Sequence, residues 1–467
     1  MAPLESAIFG QDPWWLVLIK VVIVFVFLLT FTIFNVWYER RVVGKMQHRL
    51  GPIMNGPFGL GQALGDGMKC LIKEDFRPHG TDKWLFNIAP FLTGTAAFTA
   101  WSVMPIGGQV TVFGHTTHLQ LTDLPMGVLF VLSIASIGIY GIVLAGWSST
   151  SEYSLLGSIR STAQMISYEI AMGLSLVAVF LYTGSMSTHD IVEAQTQPLG
   201  ILPVLGLPGW YALLLFPSFF IYGISMVAET NRAPFDLVEC EQELVSGYIT
   251  DYSGFRYAIY FLAEYINMAT VSGIATTLFL GGYHAPWPLN DGSILDRGFF
   301  SPVIDVLNHG WFSPVWFLIK VLLLIFVFVW LRGTLPRFRY DQFMNLGWRW
   351  LLPINLAWIV LIALVQTGRD QGWLTPTVLI VAGVVALAAL IILLFVGGEE
   401  EEVRSEVSRV PTIEPGVFDP YAGGYPVPPM PGQIVPELAD VVVAPVGGEA
   451  SEGALTVSGH DPDKEGA

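Results

Sequence analysis

Between two apolar stretches of the chain runs Ala228-Glu-Thr-Asn-Arg-Ala-Pro-Phe-Asp-Leu-Val-Glu-Cys-Glu-Gln-Glu-Leu244. Glu229, Asp236, Glu239, Glu241, Glu243 and, a few residues on, Asp251 crowd around the single nearby cation Arg232. Carboxylates at a membrane are costly, and a cluster of them points to proton movement. On a helix Glu239 and Glu243 share a face and repel. Neighbouring carboxylates in a low-dielectric site cannot all ionise, so some of their pKa values rise toward neutrality and the protons belong to the group. A proton acceptor poised near neutral pH is what proton-coupled chemistry requires. The competing reading is a solvated acidic loop. Against it stand the apolar flanks and the sequence Asn231, Arg232, Pro234-Phe235-Asp236, which reads as a fixed turn.

Two further acids lie inside apolar stretches: Glu264 in Phe261-Leu-Ala-Glu-Tyr-Ile and Glu169 in Met165-Ile-Ser-Tyr-Glu-Ile-Ala. A charge at the bilayer centre is worth roughly 2.5–3.5 kcal/mol against insertion. The alternatives are snorkelling or helix capping, which suit Glu229 at a span end better than Glu264. Lys320 is a candidate countercharge or, equally, a packing contact. Arg40, Arg41, Lys45 and Arg49 follow the first apolar stretch, and Arg337 and Arg339 the seventh. Membrane topology alone accounts for most of these cations. Arg160 and Gln164 are candidates for polar contacts with a headgroup.

The elements that must position these groups are membrane helices. The chain has 467 residues, 53% of them hydrophobic and only 13% charged, with mean hydropathy +0.58; this excludes an ordinary soluble enzyme. Apolar runs of about 20 residues occur at 14–38, 84–106, 124–148, 165–184, 208–228, 255–281, 313–332, 347–367 and 375–397. The expected fold is therefore an all-α polytopic membrane protein with about nine transmembrane helices over 1–397. Of the 22 Lys and Arg, 18 fall on the side bearing loops 39–83, 149–164, 229–254 and 333–346. That side is then cytoplasmic and the N-terminus outside. Within loop 39–83, Phe58, Leu60, Leu64, Met68 and Leu71 recur at helical spacing, which predicts an amphipathic helix on the membrane surface. It would be an interfacial anchor or one wall of a site for an amphiphilic substrate. From Gly398 to Ala467 there are 14 acidic and 3 basic residues in a Pro/Gly-rich sequence, which is expected to be a disordered tail. The two cysteines lie far apart, the eight histidines fall in loops or the tail, and no nucleotide-loop or metal motif is present. No redox cofactor of its own is expected.

Several segments together resemble one family: Glu39-Arg-Arg, Arg49-Leu-Gly-Pro, Gly56-Pro-Phe-Gly-Leu, Ala163-Gln-Met-Ile-Ser-Tyr-Glu169, Glu229-Thr-Asn-Arg-Ala-Pro-Phe-Asp-Leu with Glu239, Glu241 and Glu243, and Arg337-Phe-Arg-Tyr-Asp-Gln342. The family is the quinone-site membrane subunit of the proton-pumping NADH:quinone oxidoreductase, respiratory complex I, and the resemblance covers roughly residues 10–395. It implies a helical heel component of a bacterial cell membrane complex, with membrane lipid and other complex I subunits as partners and no nucleic acid. The partners are the peripheral-arm quinone-site subunits and the small and antiporter-like membrane subunits, with flavin and iron–sulfur clusters carried only by partner subunits. The substrate that the resemblance implies is quinone, ubiquinone or menaquinone. Carried over by motif position, Glu229, Glu239, Glu241, Glu243, Glu264 and Glu169 form the proton path. The resemblance makes Arg40, Arg49, Asp66, Arg337 and Arg339 candidates for lining the quinone cavity or docking the arm. Ser151-Glu152-Tyr153 departs from the Asn-Lys-Tyr of many members, and Cys240 stands where a small residue is common. A related component of a membrane-bound hydrogenase or ferredoxin-dependent oxidoreductase, an independent ion carrier and a structural scaffold are the rival readings.

Overall fold

The computed structural model describes residues 12–196, 209–236, 244–287, 289–290, 308 and 310–371, all within the first of two compact units, Met1–Leu379. The expected ninth span, the acidic tail, and the carboxylates Glu239, Glu241 and Glu243 together with Cys240 lie outside the described residues.

Helix α1 (Trp14–Met46) has 33 residues, roughly 50 Å at 1.5 Å per residue against a hydrocarbon core of about 30 Å. Its last two turns therefore reach past the apolar run and carry Glu39, Arg40 and Arg41. The end of the apolar run alone places these residues in a loop. Nothing between Glu39 and Met46 breaks a helix, however, and the chain turns only at His48, whose φ is 53°, ahead of Gly51-Pro52. Helix α2 (Gly61–Ile72) follows with no buried residue and with Leu64, Met68 and Leu71 exposed, as expected of the surface helix. Helix α3 (Lys83–Ala100) opens on Asp82, whose carboxylate accepts from the N–H of Trp84 and Leu85, satisfying two of the free donors of a helix start.

Strands β1 (Gly107–Val112) and β2 (His115–Leu119) then form an antiparallel hairpin, a departure from the all-helical expectation. Its two turn residues, Phe113 and Gly114, both have positive φ, the geometry that matches the twist of a two-residue hairpin. A Phe in that position gives no sequence signal. His118 on β2 is buried and its ring lies 5.0 Å from that of His189. Burial first, then His189 and Lys20, push His118 down to about 4, so it stays neutral at physiological pH.

Next come α4 (Gly127–Ser148) and α5 (Glu152–Thr183). Helix α5 begins well before the expected position 165. Its first turns bury Ser154, Ser158, Ser161 and Gln164, so the inward face there is polar and a hydropathy reading takes it for a loop. Gln164 is accordingly a core residue and not a headgroup contact, and Arg160 lies over the Tyr340 ring at 4.6 Å. Glu152 sits exposed in the first turn, where a negative charge favours the helix dipole. The remaining helices among the described residues are α6 (Thr188–Ala194), α7 (Tyr211–Leu214), α8 (Phe216–Glu229), α9 (Gly254–Phe279), α10 (Ser313–Thr334), α11 (Tyr340–Asn345) and, after a π-turn over Leu346–Leu351, α12 (Leu352–Asp370).

Six helices among the described residues are long and apolar enough to cross a membrane: α1, α4, α5, α9, α10 and the stretch containing α11 and α12. The expected spans at α3 and α8 are helical but fall short. Helix α8 has only 14 residues, and α3 carries Lys83, Asn87 and Pro90 in its first half. The protein is thus a mostly helical polytopic membrane protein. Helix α9 is its axis and packs on α1, α2, α3, α8 and α10. Every residue from Met268 to Phe279 is buried, the mark of a helix surrounded on all sides. Close approach elsewhere depends on small residues. A Cβ on Gly157 would meet the Gly247 backbone at 2.5 Å.

Buried Lys320 on α10 donates to the carbonyls of Leu280 (2.6 Å), Gly282 (2.9 Å) and His284 (2.6 Å). These close the C-terminal end of α9, so Lys320 pins a helix end and is no carboxylate's countercharge among the described contacts. Lys320→Met should lower the stability of the protein by about 1–3 kcal/mol through the carbonyls left bare, read as an earlier thermal transition of the detergent-solubilised protein. An unchanged transition would show that the carbonyls find other donors.

Candidate functional site

The turn after α8 is built as its sequence suggested. Gln164 Nε2 donates to the carbonyls of Ala228 and Phe235, both at 2.8 Å. Asn231 Nδ2 donates to Ser161 Oγ at 3.2 Å, and the N–H of Phe338 to the Pro234 carbonyl at 3.0 Å. Asn231 adopts φ 50°, a left-handed conformation that Asn tolerates. The turn directs Arg232, only 4% exposed, into the space between α1 and α9.

There Arg232 meets two acids. Its Nε lies 2.9 Å from Glu264 Oε1 on α9 and its Nη1 3.4 Å from Glu39 Oε1 on α1. Its guanidinium stands 4.3 Å over the Tyr265 ring, and Tyr265 Oη donates to Glu39 Oε2 at 2.6 Å. Arg332 on α10 closes a second ion pair with Glu39. One buried carboxylate thus holds two guanidiniums and a phenol, the dense compensation a buried charge requires.

Glu39, Tyr265 and Arg332 are also part of the wall of a cavity of about 810 Å³, together with Arg40, Arg49 and Phe261. A second cavity, about 740 Å³ and mostly apolar, runs between α1, α2 and α9 and is lined by Ile33, Leu64, Met68, Tyr257 and Leu262 among others. Arg40 and Phe261 line both. Asp66 on α2 holds Arg40 at 2.5 Å, with both side chains about half exposed.

Glu229 ends α8 and is 8% exposed. It lines a small cavity of about 30 Å³ with Thr93, Thr230, Asn267 and Thr270, which has room for a water molecule and polar groups to bind it. Glu169 on α5 accepts from Ser136 Oγ on α4 and is near enough to Glu229 for the two charges to interact. On α9, Glu264 lies one turn from Phe261, in the wall of the large polar cavity, and one turn from Asn267, in the wall of the small one.

Of the residues singled out by sequence, the structure gathers Arg40, Arg49 and Asp66 at the two large cavities and Glu264, Glu229 and Glu169 behind them. Arg337 and Arg339 line neither cavity. Arg337 reaches buried Asp236 at 3.5 Å, and Arg339 is exposed beside Asp341 at 3.7 Å. Glu39, Tyr265, Arg332 and Phe261 were missed as site residues. Glu39 heads the Glu-Arg-Arg motif, but its role depends on partners 193 and 293 positions away, which no local pattern reveals.

Comparison with known proteins gives a consistent result. A family model described as NADH dehydrogenase matches residues 19–363. A protein of Cutibacterium acnes, named as a subunit of NADH-quinone oxidoreductase, is 55% identical over 474 residues, covering all of both chains. A protein of Streptomyces avermitilis with the same name is 48% identical over 441 residues, covering 94% of this chain and 92% of its own.

Proposed function

The chain belongs to the NADH dehydrogenase family and is a multi-pass membrane component of an NADH-quinone oxidoreductase, and on that premise we propose that it forms the membrane side of the quinone chamber and passes protons inward from it. The observation that carries this reading is the junction at Arg40 and Phe261, where the apolar groove meets the polar cavity. An amphiphile with a polar ring and a long hydrocarbon tail fits such a pair. The tail lies between α1, α2 and α9, and the ring enters the space walled by Arg40, Arg49, Tyr265 and Arg332. Both volumes fall in the range of small-molecule sites.

Quinone takes two electrons and two protons to become quinol. The electrons come from partner subunits that carry the flavin and iron–sulfur clusters; this chain contributes position and charge. Negative charge arriving on the ring competes with Glu39 for Arg332 and Arg232. Any loosening of the Glu39–Arg232 pair changes the field at Glu264, on the opposite side of the same guanidinium. From Glu264 the path continues by Asn267 and the small cavity to Glu229 and Glu169. Glu239, Glu241 and Glu243 complete the acid series in sequence. The basic side of the bundle, which holds the chamber, faces the cytoplasm and the N-terminus lies outside.

Arg40 tests the chamber. Its ion pair with Asp66 is half exposed, so losing it should change stability by under about 1 kcal/mol. Arg40→Ala in the assembled complex should raise the KM for quinone and leave the NADH-oxidising reaction with a soluble acceptor intact. An unchanged KM with both short-tailed and long-tailed quinones would remove Arg40 from the chamber.

A further inference from the structure

A separate cavity of about 250 Å³ opens at the hairpin end of the bundle, between α1, α10 and β2. Its α1 residues Lys20 to Phe27 lie roughly 20–30 Å along the helix from Glu39. Val24, Phe27, Met104, Leu119 and Leu318 line it, with Trp311 on α10's approach. Its polar lining residues present no polar surface to it. Lys20 Nζ donates to Asp12 Oδ2 (2.6 Å), Thr117 Oγ1 (2.5 Å) and the Gln120 carbonyl (3.3 Å). Gln120 Nε2 donates to the carbonyls of Val103 and Thr122 and to Thr188 Oγ1. The remaining surface is hydrocarbon.

Water in such a space finds no partners, and leaving it unfilled forfeits dispersion contacts in proportion to its volume. Two of its lining residues are themselves apolar and largely exposed, Ile23 on α1 at 60% and Trp311 just before α10 at 62%, and Ile319, next along α10 from the lining Leu318, is 48% exposed. The cavity is therefore continuous with the belt that α1 and α10 present to the bilayer. We propose that it takes one acyl chain of a membrane phospholipid, bound through the chain and without selection of the headgroup. The second half follows from Lys20, the cation in the lining. An ammonium has three N–H donors; all three are engaged, and Asp12 balances the charge, so nothing remains to favour an anionic lipid.

The test uses the intact complex in liposomes that contain phosphatidylcholine or phosphatidylglycerol with a diazirine on the acyl chain. After irradiation, adducts are mapped by peptide mass spectrometry. Met104 is the reporter, since it is 1% exposed yet lines the cavity. Adducts at Met104 are expected with both lipids in equal yield. Leu318→Trp, which fills the space, should abolish them while adducts at exposed Leu323 and Leu364 persist; Val24→Phe serves the same purpose if the first variant does not assemble. The proposal is overturned if Met104 takes no adduct in the unsubstituted complex, as when a side chain of another component occupies the cavity. Adducts that survive both filling variants overturn it as well, and a preference for phosphatidylglycerol overturns the claim of headgroup indifference.

Discussion

Arg232→Met should leave little of this protein in assembled complex. The substitution keeps most of the side-chain volume and removes the one cation shared by Glu39 and Glu264. Breaking a buried ion pair by deleting one partner costs about 3–5 kcal/mol, because the surviving charge stays desolvated. Folded proteins have only about 5–15 kcal/mol in reserve. Among the described contacts Glu39 keeps Arg332 and Tyr265, while Glu264, which is 20% exposed, loses its 2.9 Å contact with the guanidinium. Adding Glu264→Gln to Arg232→Met should then recover part of the assembled complex on native gels. Arg232→Lys should assemble better than the Met variant but below wild type, since a single ammonium cannot reach both carboxylates as the guanidinium fork does. Full assembly of Arg232→Met, with an unchanged thermal transition, would show that the network contributes nothing to the fold.

Glu229→Gln should have the opposite profile, with assembly preserved and turnover lost. Glutamine matches the shape of glutamate and can donate and accept hydrogen bonds in the small cavity, but it cannot carry a proton between states. Positioned acid–base groups contribute on the order of 10²–10⁴ in rate, and a fall near the lower end in NADH:quinone reductase activity is expected. The KM for quinone should be unchanged, because Glu229 lines neither large cavity. Glu169→Gln should have a smaller effect, since Glu169 is only partly buried and already hydrogen-bonded to Ser136. A rise in KM for Glu229→Gln would mean that it shapes the chamber and not the path beyond it.

What could be read from the sequence depended on how local the determining interactions are. The apolar runs marked eight of the helices in order, because hydropathy over some twenty residues is a local property. The amphipathic α2 was legible for the same reason, and so was the turn after α8, whose Asn, Arg and Pro lie within a few positions. The start of α5 was not, because its buried face is serine and glutamine, and polar packing against the 228–235 turn has no hydropathy signature. The hairpin was missed because Phe113 occupies a turn position usually held by Asn, Asp or Gly. At the site, Glu264 and Glu229 stood out as acids in apolar surroundings. Glu39 did not, because it falls where the apolar run ends and looks like the first residue of a cytoplasmic loop. Only the length of α1 past the bilayer, and the convergence of α9 and α10 on it, turn that glutamate into the hub of the network.

The most direct test of the path from chamber to acid series is proton translocation by Glu229→Gln. Sealed inverted vesicles carrying the assembled variant would be supplied with NADH, and proton uptake recorded against NADH oxidised. The ratio corrects for slow turnover, so residual activity suffices. The ratio is expected to collapse while the remaining electrons still reach quinone. A wild-type ratio, with protons moved in full for each NADH that is oxidised, would contradict it and place the proton path elsewhere.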